Sequence, residues 1–245
     1  MVKQLPTNTT PTIIYPDSDG QPMADNTKQF RWIVTIKENL ELLFINDSHV
    51  FVAGDLLWYP VQGDNKIRQA PDTMVVFGRP KGDRGSYKQW EEDNIPPQVV
   101  FEILSPGNRL KKMAEKFKFY ERYGVEEYYV YDPDDNELIG WLRSGNDLEI
   151  ITEMDGWMSP RLKIKFQLSS DTLEIFSPLG DKFLTYVELN QLREQERQRA
   201  EQEHQRAEQE SQRADEATKQ LEQERQRNAA LSALLREQGI NLEEL

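Results

Sequence analysis

The sequence predicts an α/β fold: a mixed β-sheet flanked by helices, an antiparallel β extension, and a long C-terminal helix. Three observations carry this prediction. Between residues 27 and 132, short apolar runs bounded by turn residues alternate with two stretches of helical periodicity. Beyond Asp135 only short β-like pieces follow, and from Phe183 the composition changes to a seven-residue repeat of Glu, Gln, Arg and Ala. Together they give an irregular arm over 1–24, a globular domain over 25–182 and a helical extension over 183–245.

Residues 1–24 are rich in Thr, Pro, Asp and Gly and lack periodicity, as an irregular arm does. From Thr27 to Ile45, Phe30, Ile33, Ile36, Leu40, Leu43 and Phe44 recur at three- and four-residue intervals, which predicts an amphipathic helix. VFVAGDLLWYP reads as one strand ended by Pro60, with Asp55 on the face of Phe51, Ala53, Leu57 and Tyr59. Strands over 72–77 and 98–104 follow, separated by the basic loop GRPKGDRGSYKQW and the turn signal NIPP. A helix over 109–124 closes at Gly124, a suitable C-terminal cap. EEYYVYD is a strand that stops at Asp132-Pro133; ELIGWLR, DLEIIT and the segments near 163–168 and 173–176 form the antiparallel extension. Its Trp141 and Trp157 read as packing residues, with no catalytic constellation around them.

In the tail, Ala200, Ala207, Ala214, Leu221, Asn228 and Leu235 share one heptad position, and neither Gly nor Pro occurs from Phe183 until Gly239. A helix follows. The partner position carries His204, Ser211, Thr218, Arg225 and Ser232, so a coiled-coil seam is poor, and a solvated single helix or self-association through ALSALL both stay open.

The chain has 245 residues and no cysteine, which removes disulfides, thiolate nucleophiles and cysteine-held metals, and favours a reducing cytoplasm. No apolar run approaches the roughly 20 residues that span a bilayer. The net charge of −13 works against a simple nucleic-acid binder. Distribution matters more: Arg79, Lys81, Arg84 and Lys88 flank one candidate acid, while Arg109, Lys111, Lys112, Lys116, Lys118 and Arg122 follow the other.

Those acids are Asp72 and Glu102. Asp72 shares a strand face with Met74 and Val76, and Glu102 one with Val100 and Leu104. If the strands are neighbours, two carboxylates converge on one oxygen-liganded metal, with the backbone carbonyl of Ile103 as a further hard ligand. Mg²⁺ suits that set because it keeps waters and needs few protein groups. Such a site hydrolyses phosphodiesters: the metal acidifies a water, and a lysine either orients the nucleophile or stabilises the phosphoryl oxygens. Asp55, on an otherwise apolar face, is a tentative third acid; Asp25 is either a site residue or a helix cap. His49 and His204 are too far apart for a shared zinc, and no phosphate-binding glycine loop occurs.

The order PD, hydrophobic strand, VVFEILSP, helix with central Lys and Tyr, then YGVEEYYVYDP resembles the Uma-type restriction endonucleases, once catalogued as domain of unknown function 820, in the PD-(D/E)XK nuclease superfamily. The resemblance covers roughly 15–190, including YPDSDGQPMAD, GDLLWYP and PDTMVVFG, and the tail ending LLREQGINLEEL is similar to tails of many members. It implies a restriction-endonuclease-like core and Mg²⁺-dependent cleavage of DNA, with Mn²⁺ as the other candidate metal; an enzyme that cuts both strands benefits from two related sites, so a homodimer is expected. It makes Asp72 the PD aspartate and Glu102 the acid of the E-x-K element. Leu104 stands where that element has its lysine; the resemblance assigns the role of base to Lys116 on the following helix, about 80° from the centre of the stripe Leu110, Met113, Phe117 and Tyr120. Lys112 falls farther round, toward solvent. A catalytically lost fold that binds nucleic acid or protein is the alternative, and a domain that merely carries the helical tail is a third.

Overall fold

The computed structural model describes residues 13–107 and 110–237; the expectations for 1–12, for Arg109 and for the end of the tail lie outside them. The chain divides into two compact units, Met1–Tyr186 and Val187–Leu245.

The first unit is built on a six-stranded mixed sheet in the order β1-β3-β5-β6-β7-β8. The irregular arm 13–24 precedes α1 (Thr27–Leu43), whose N-cap Asn26 accepts the Gln29 amide. Then come β1 (Val50–Ala53), β2 (Trp58–Tyr59), β3 (Thr73–Phe77), β4 (Tyr87–Lys88), β5 (Val99–Ile103) and α2 (Leu110–Arg122). After β6 (Glu127–Asp132), β7 (Glu137–Ser144) and β8 (Asp147–Ile150) extend the same sheet antiparallel. A separate hairpin, β9 (Lys165–Leu168) with β10 (Leu173–Phe176), completes the unit.

Alternation along the strands divides the core in two. Val99, Phe101 and Ile103 of β5, with Tyr129 and Tyr131 of β6, face α1 and the β9–β10 hairpin. Val100 of β5 and Tyr128 and Val130 of β6 face the other way, toward α2 and its buried Tyr120. The parallel pair β5 and β6 is joined through α2, so this helix must lie across the face that Glu102 shares. Gly124, at φ +91, ends α2 in the left-handed conformation that glycine adopts without a Cβ clash, and Val125 N–H closes back on Tyr120 O at 3.1 Å.

Two expectations change. GDLLWYP is not a continuation of β1: Gly54 and Asp55 turn the chain, Asp55 has φ +49, and Trp58–Tyr59 pair instead with β4 in a small parallel ribbon. Asp55 therefore shares no strand face with Phe51 or Tyr59. In α2 the apolar stripe starts later than expected, since Leu110 is 89% exposed while Tyr120 is fully buried.

The compact unit runs past the compositional change at Phe183. That side chain is buried, and Leu184 O accepts Asn39 Nδ2 at 2.8 Å. In the second unit, α3 (Tyr186–Glu237) is one helix of 52 residues with no buried side chain among those described. Local pairs such as Arg197 with Glu194, at 2.9 Å, support it.

Candidate active site

The register of β3 on β5 aligns Thr73 with Phe101 and Met74 with Val100. Carried one residue further, it sets Asp72 opposite Glu102, and residues directly opposite in an antiparallel pair point to the same face. Asp72 is 8% exposed and its Oδ2 accepts the Ile103 amide at 2.7 Å. Burial, then the neighbouring Glu102 charge, push its carboxyl well above the ordinary range, against the pull of Lys116 and the Ile103 amide.

Glu102 is 1% exposed on a central strand, and α2 holds both of its oxygens. Lys116 Nζ donates to Oε2 at 2.6 Å, and Tyr120 OH to Oε1 at 2.5 Å. The two donors lie one helical turn apart, which lets a single helix face grip one carboxylate. Burial lowers the Lys116 pKa, but Glu102, Asp72 and Asp55 outweigh it and the net shift is upward. The ion pair of Lys116 with Glu102 suits electrostatic stabilisation of charge. Burial first, then Glu102, raise Tyr120 as well, so its hydroxyl stays a donor. Leu104, two residues after Glu102, packs against the α2-side core while its amide pairs with Tyr131 O. The cationic group absent there comes from the helix.

A cleft of about 110 Å³ lies beside these groups and is lined by Asp72 and Lys116 but not by Glu102. Its walls also include Gln29 and Asp55, and at its margin the exposed Lys112 with the arm residues Asp19 and 21–25. Asp55 reaches it from the turn: its amide donates to Pro71 O at 3.0 Å, and burial, followed by the Asp19 charge, raises its pKa. Asp25 does not cap α1, a task Asn26 performs; it accepts Ser105 Oγ at 2.6 Å. Gln29 went unnoticed in the sequence. It is buried, its Oε1 accepts the Asp25 amide, and its Nε2 donates to Ile103 O at 2.8 Å. The Ile103 backbone is therefore held at its N–H by Asp72 and at its C=O by Gln29.

Among the described residues, no group of three or more His, Cys, Asp or Glu side chains is arranged to hold a metal ion. The donor chemistry of the site nevertheless suits one. Asp55, Asp72 and Glu102 lie close enough to act on one another and on Lys116, so several carboxylates gather at one place. The donors are hard oxygens, as Mg²⁺ and Mn²⁺ require.

The basic loop does not line this cleft as a free cationic surface. Arg79 and Arg84 both close on Glu92, at 2.8 and 2.6 Å, Arg79 also pairs with Asp93, and Lys81 pairs with Glu41 at 2.9 Å. Exposed cations lie instead on α2, at Lys111, Lys112, Lys118 and Arg122.

A third buried carboxylate, Glu127, was also missed. Glu127 is fully buried and accepts Ser159 Oγ at 2.5 Å, Tyr129 OH at 2.8 Å and the Arg161 amide at 2.5 Å. Its signal was a charge alternating with Tyr129 and Tyr131 on a core-facing row.

Residues 3–171 match the sequence model of the Uma2 family, described as "Putative restriction endonuclease". No curated protein matches the chain. Among solved structures, a "putative nuclease belonging to DUF820" from Anabaena variabilis aligns with a TM-score of 0.41 and 17% identity, over 55% of this chain and 72% of that one.

Proposed function

The chain belongs to the Uma2 family, and from that membership and the buried Asp72–Glu102–Lys116 cluster we propose that it is a divalent-metal-dependent endonuclease hydrolysing phosphodiester bonds in DNA. The observation that carries the reading is the delivery of a charged lysine from α2 to Glu102, opposite Asp72, in a chain whose E-x-K position holds Leu104.

Asp72 and Glu102, with the Ile103 carbonyl, would hold Mg²⁺ or Mn²⁺. When bound, the ion neutralises phosphoryl charge and acidifies water. Lys116, kept cationic, donates to a non-bridging oxygen where charge grows in the transition state. Gln29 fixes the Ile103 carbonyl, and Tyr120 fixes the Glu102 carboxylate. Asp55, at the solvent side of the cleft, orients water. Lys112 at the margin, with Lys118 and Arg122 on the same helix, contacts the phosphate backbone. A homodimer would present two such sites to two strands, and α3 is the element we assign to self-association. We assign the protein to the cytoplasm, the reducing compartment that the absence of cysteine favours.

A catalytically lost binding module is the second reading, favoured by Leu104 and the net charge of −13. Incubation of supercoiled plasmid with Mg²⁺ or Mn²⁺, beside EDTA, separates the two. Metal-dependent nicking supports the nuclease. Plasmid retained in a gel shift but never nicked supports the module.

A further inference from the structure

Both oxygens of Glu102 are taken, by Lys116 at 2.6 Å and by Tyr120 at 2.5 Å, and its side chain is 1% exposed. A carboxylate in that condition has no approach left for a metal on the Lys116 side. Lys116 sits on a flexible four-carbon stem, ion-paired to Glu102, and it lines the cleft beside Asp72. Tyr120, by contrast, is fully buried, with its ring packed 5.0 Å from Tyr128 and 6.4 Å from Trp58. Of the two donors, only the lysine can leave without opening the core.

We propose that Lys116 is a placeholder for the catalytic cation: it neutralises Glu102 in the metal-free protein, and metal binding displaces it into the cleft, where it meets the phosphate. This rests on the metal-dependent reading above and deepens it, since one event both vacates a ligand and delivers the stabilising charge. The metal-free protein thereby avoids a buried unpaired carboxylate, and the cation need displace only one movable group. Tyr120 remains on Oε1 throughout, so Glu102 keeps its orientation while its partner changes.

The swap is read on the full chain without reference to cleavage, by acetic anhydride labelling followed by mass spectrometry. Lys116 should be protected without metal, and its labelling should rise at least tenfold at saturating Mn²⁺, with the exposed Lys111 as internal reference. In parallel, Mn²⁺ binding followed by electron paramagnetic resonance should tighten about tenfold in Lys116→Met and weaken at least tenfold in Glu102→Gln. Mn²⁺ binding that leaves Lys116 protected overturns the placeholder, as does Lys116→Met affinity at or below wild type, and so does the absence of any bound Mn²⁺. Metal-driven release of Lys116 in a protein that never nicks plasmid would leave this inference standing and sink the nuclease.

Discussion

Lys116 Nζ stands 2.6 Å from Glu102 Oε2, a contact between a helix and the strand that precedes it in a parallel crossover. The pair is buried on both sides, so its members depend on each other in a way that surface ion pairs do not. Replacing Lys116 by Ala strands the Glu102 charge. We expect a stability loss of about 3–5 kcal/mol in urea unfolding, and a fall of about 10²–10³ in nicking rate. Lys116→Met fills the volume, so a smaller stability loss with the same loss of rate would separate charge from packing.

Tyr120→Phe keeps the ring and removes one donor to Glu102. A hydrogen bond to a charged acceptor contributes about 1.5–3 kcal/mol, and equilibrium unfolding should show a loss in that range. The Lys116 contact remains, so Mn²⁺ binding should survive.

Asp72 makes the opposite prediction for stability. Burial and the Glu102 charge raise its folded-state pKa, so folding takes up a proton at Asp72. Its stabilising contribution is complete below the ordinary carboxylate pKa of about 4 and is lost as pH rises through the folded value. Asp72→Asn removes that slope while still offering an oxygen to the Ile103 amide. Thermal melts of the metal-free variant should show a gain over wild type that grows with pH, on the order of 1 kcal/mol at pH 8, alongside loss of cleavage. A variant less stable than wild type at pH 8 would contradict this balance.

Glu127 tests a carboxylate that the proposed chemistry does not use. Its oxygens satisfy Ser159, Tyr129 and the Arg161 amide, and Glu127→Ala leaves those donors unpaired. A loss of about 2–4 kcal/mol is expected in urea, with Mn²⁺ affinity at Asp72 and Glu102 unchanged in the folded fraction.

Truncation after Tyr186 keeps Phe183 in the core and Leu184 on Asn39. That fragment should melt within a degree or two of the full chain and keep its nicking rate per site. Truncation before Phe183 should destabilise it. An equal loss of cleavage in both fragments would assign function to α3.

Much of this arrangement was legible because period and face are written in the sequence. Alternation in PDTMVVFG and VVFEILSP put Asp72 and Glu102 on faces that the sheet register then joined. The position of Lys116 was less so: a helical wheel set it beside the apolar stripe, but only the crossover of α2 over β5 explains why it reaches Glu102. The break at Gly54–Asp55 was hidden by apolar residues on both sides, since a left-handed turn residue leaves no periodic mark. Arg79, Arg84 and Glu92 meet through loop geometry, which residue types alone do not specify. Gln29 was masked by its position in an amphipathic helix, where a polar residue reads as solvent-facing, yet it is 6% exposed and bonded to Ile103.

The most direct measurement is the conversion of supercoiled plasmid to nicked circles by the wild-type chain, Asp72→Asn and Lys116→Ala, each with Mg²⁺ and with EDTA, after circular dichroism has confirmed folding. Nicking by wild type with Mg²⁺ alone, and by neither variant, is the expected result. Nicking that persists in folded Asp72→Asn, or that proceeds equally in EDTA, would contradict a metal-dependent site built on Asp72, Glu102 and Lys116.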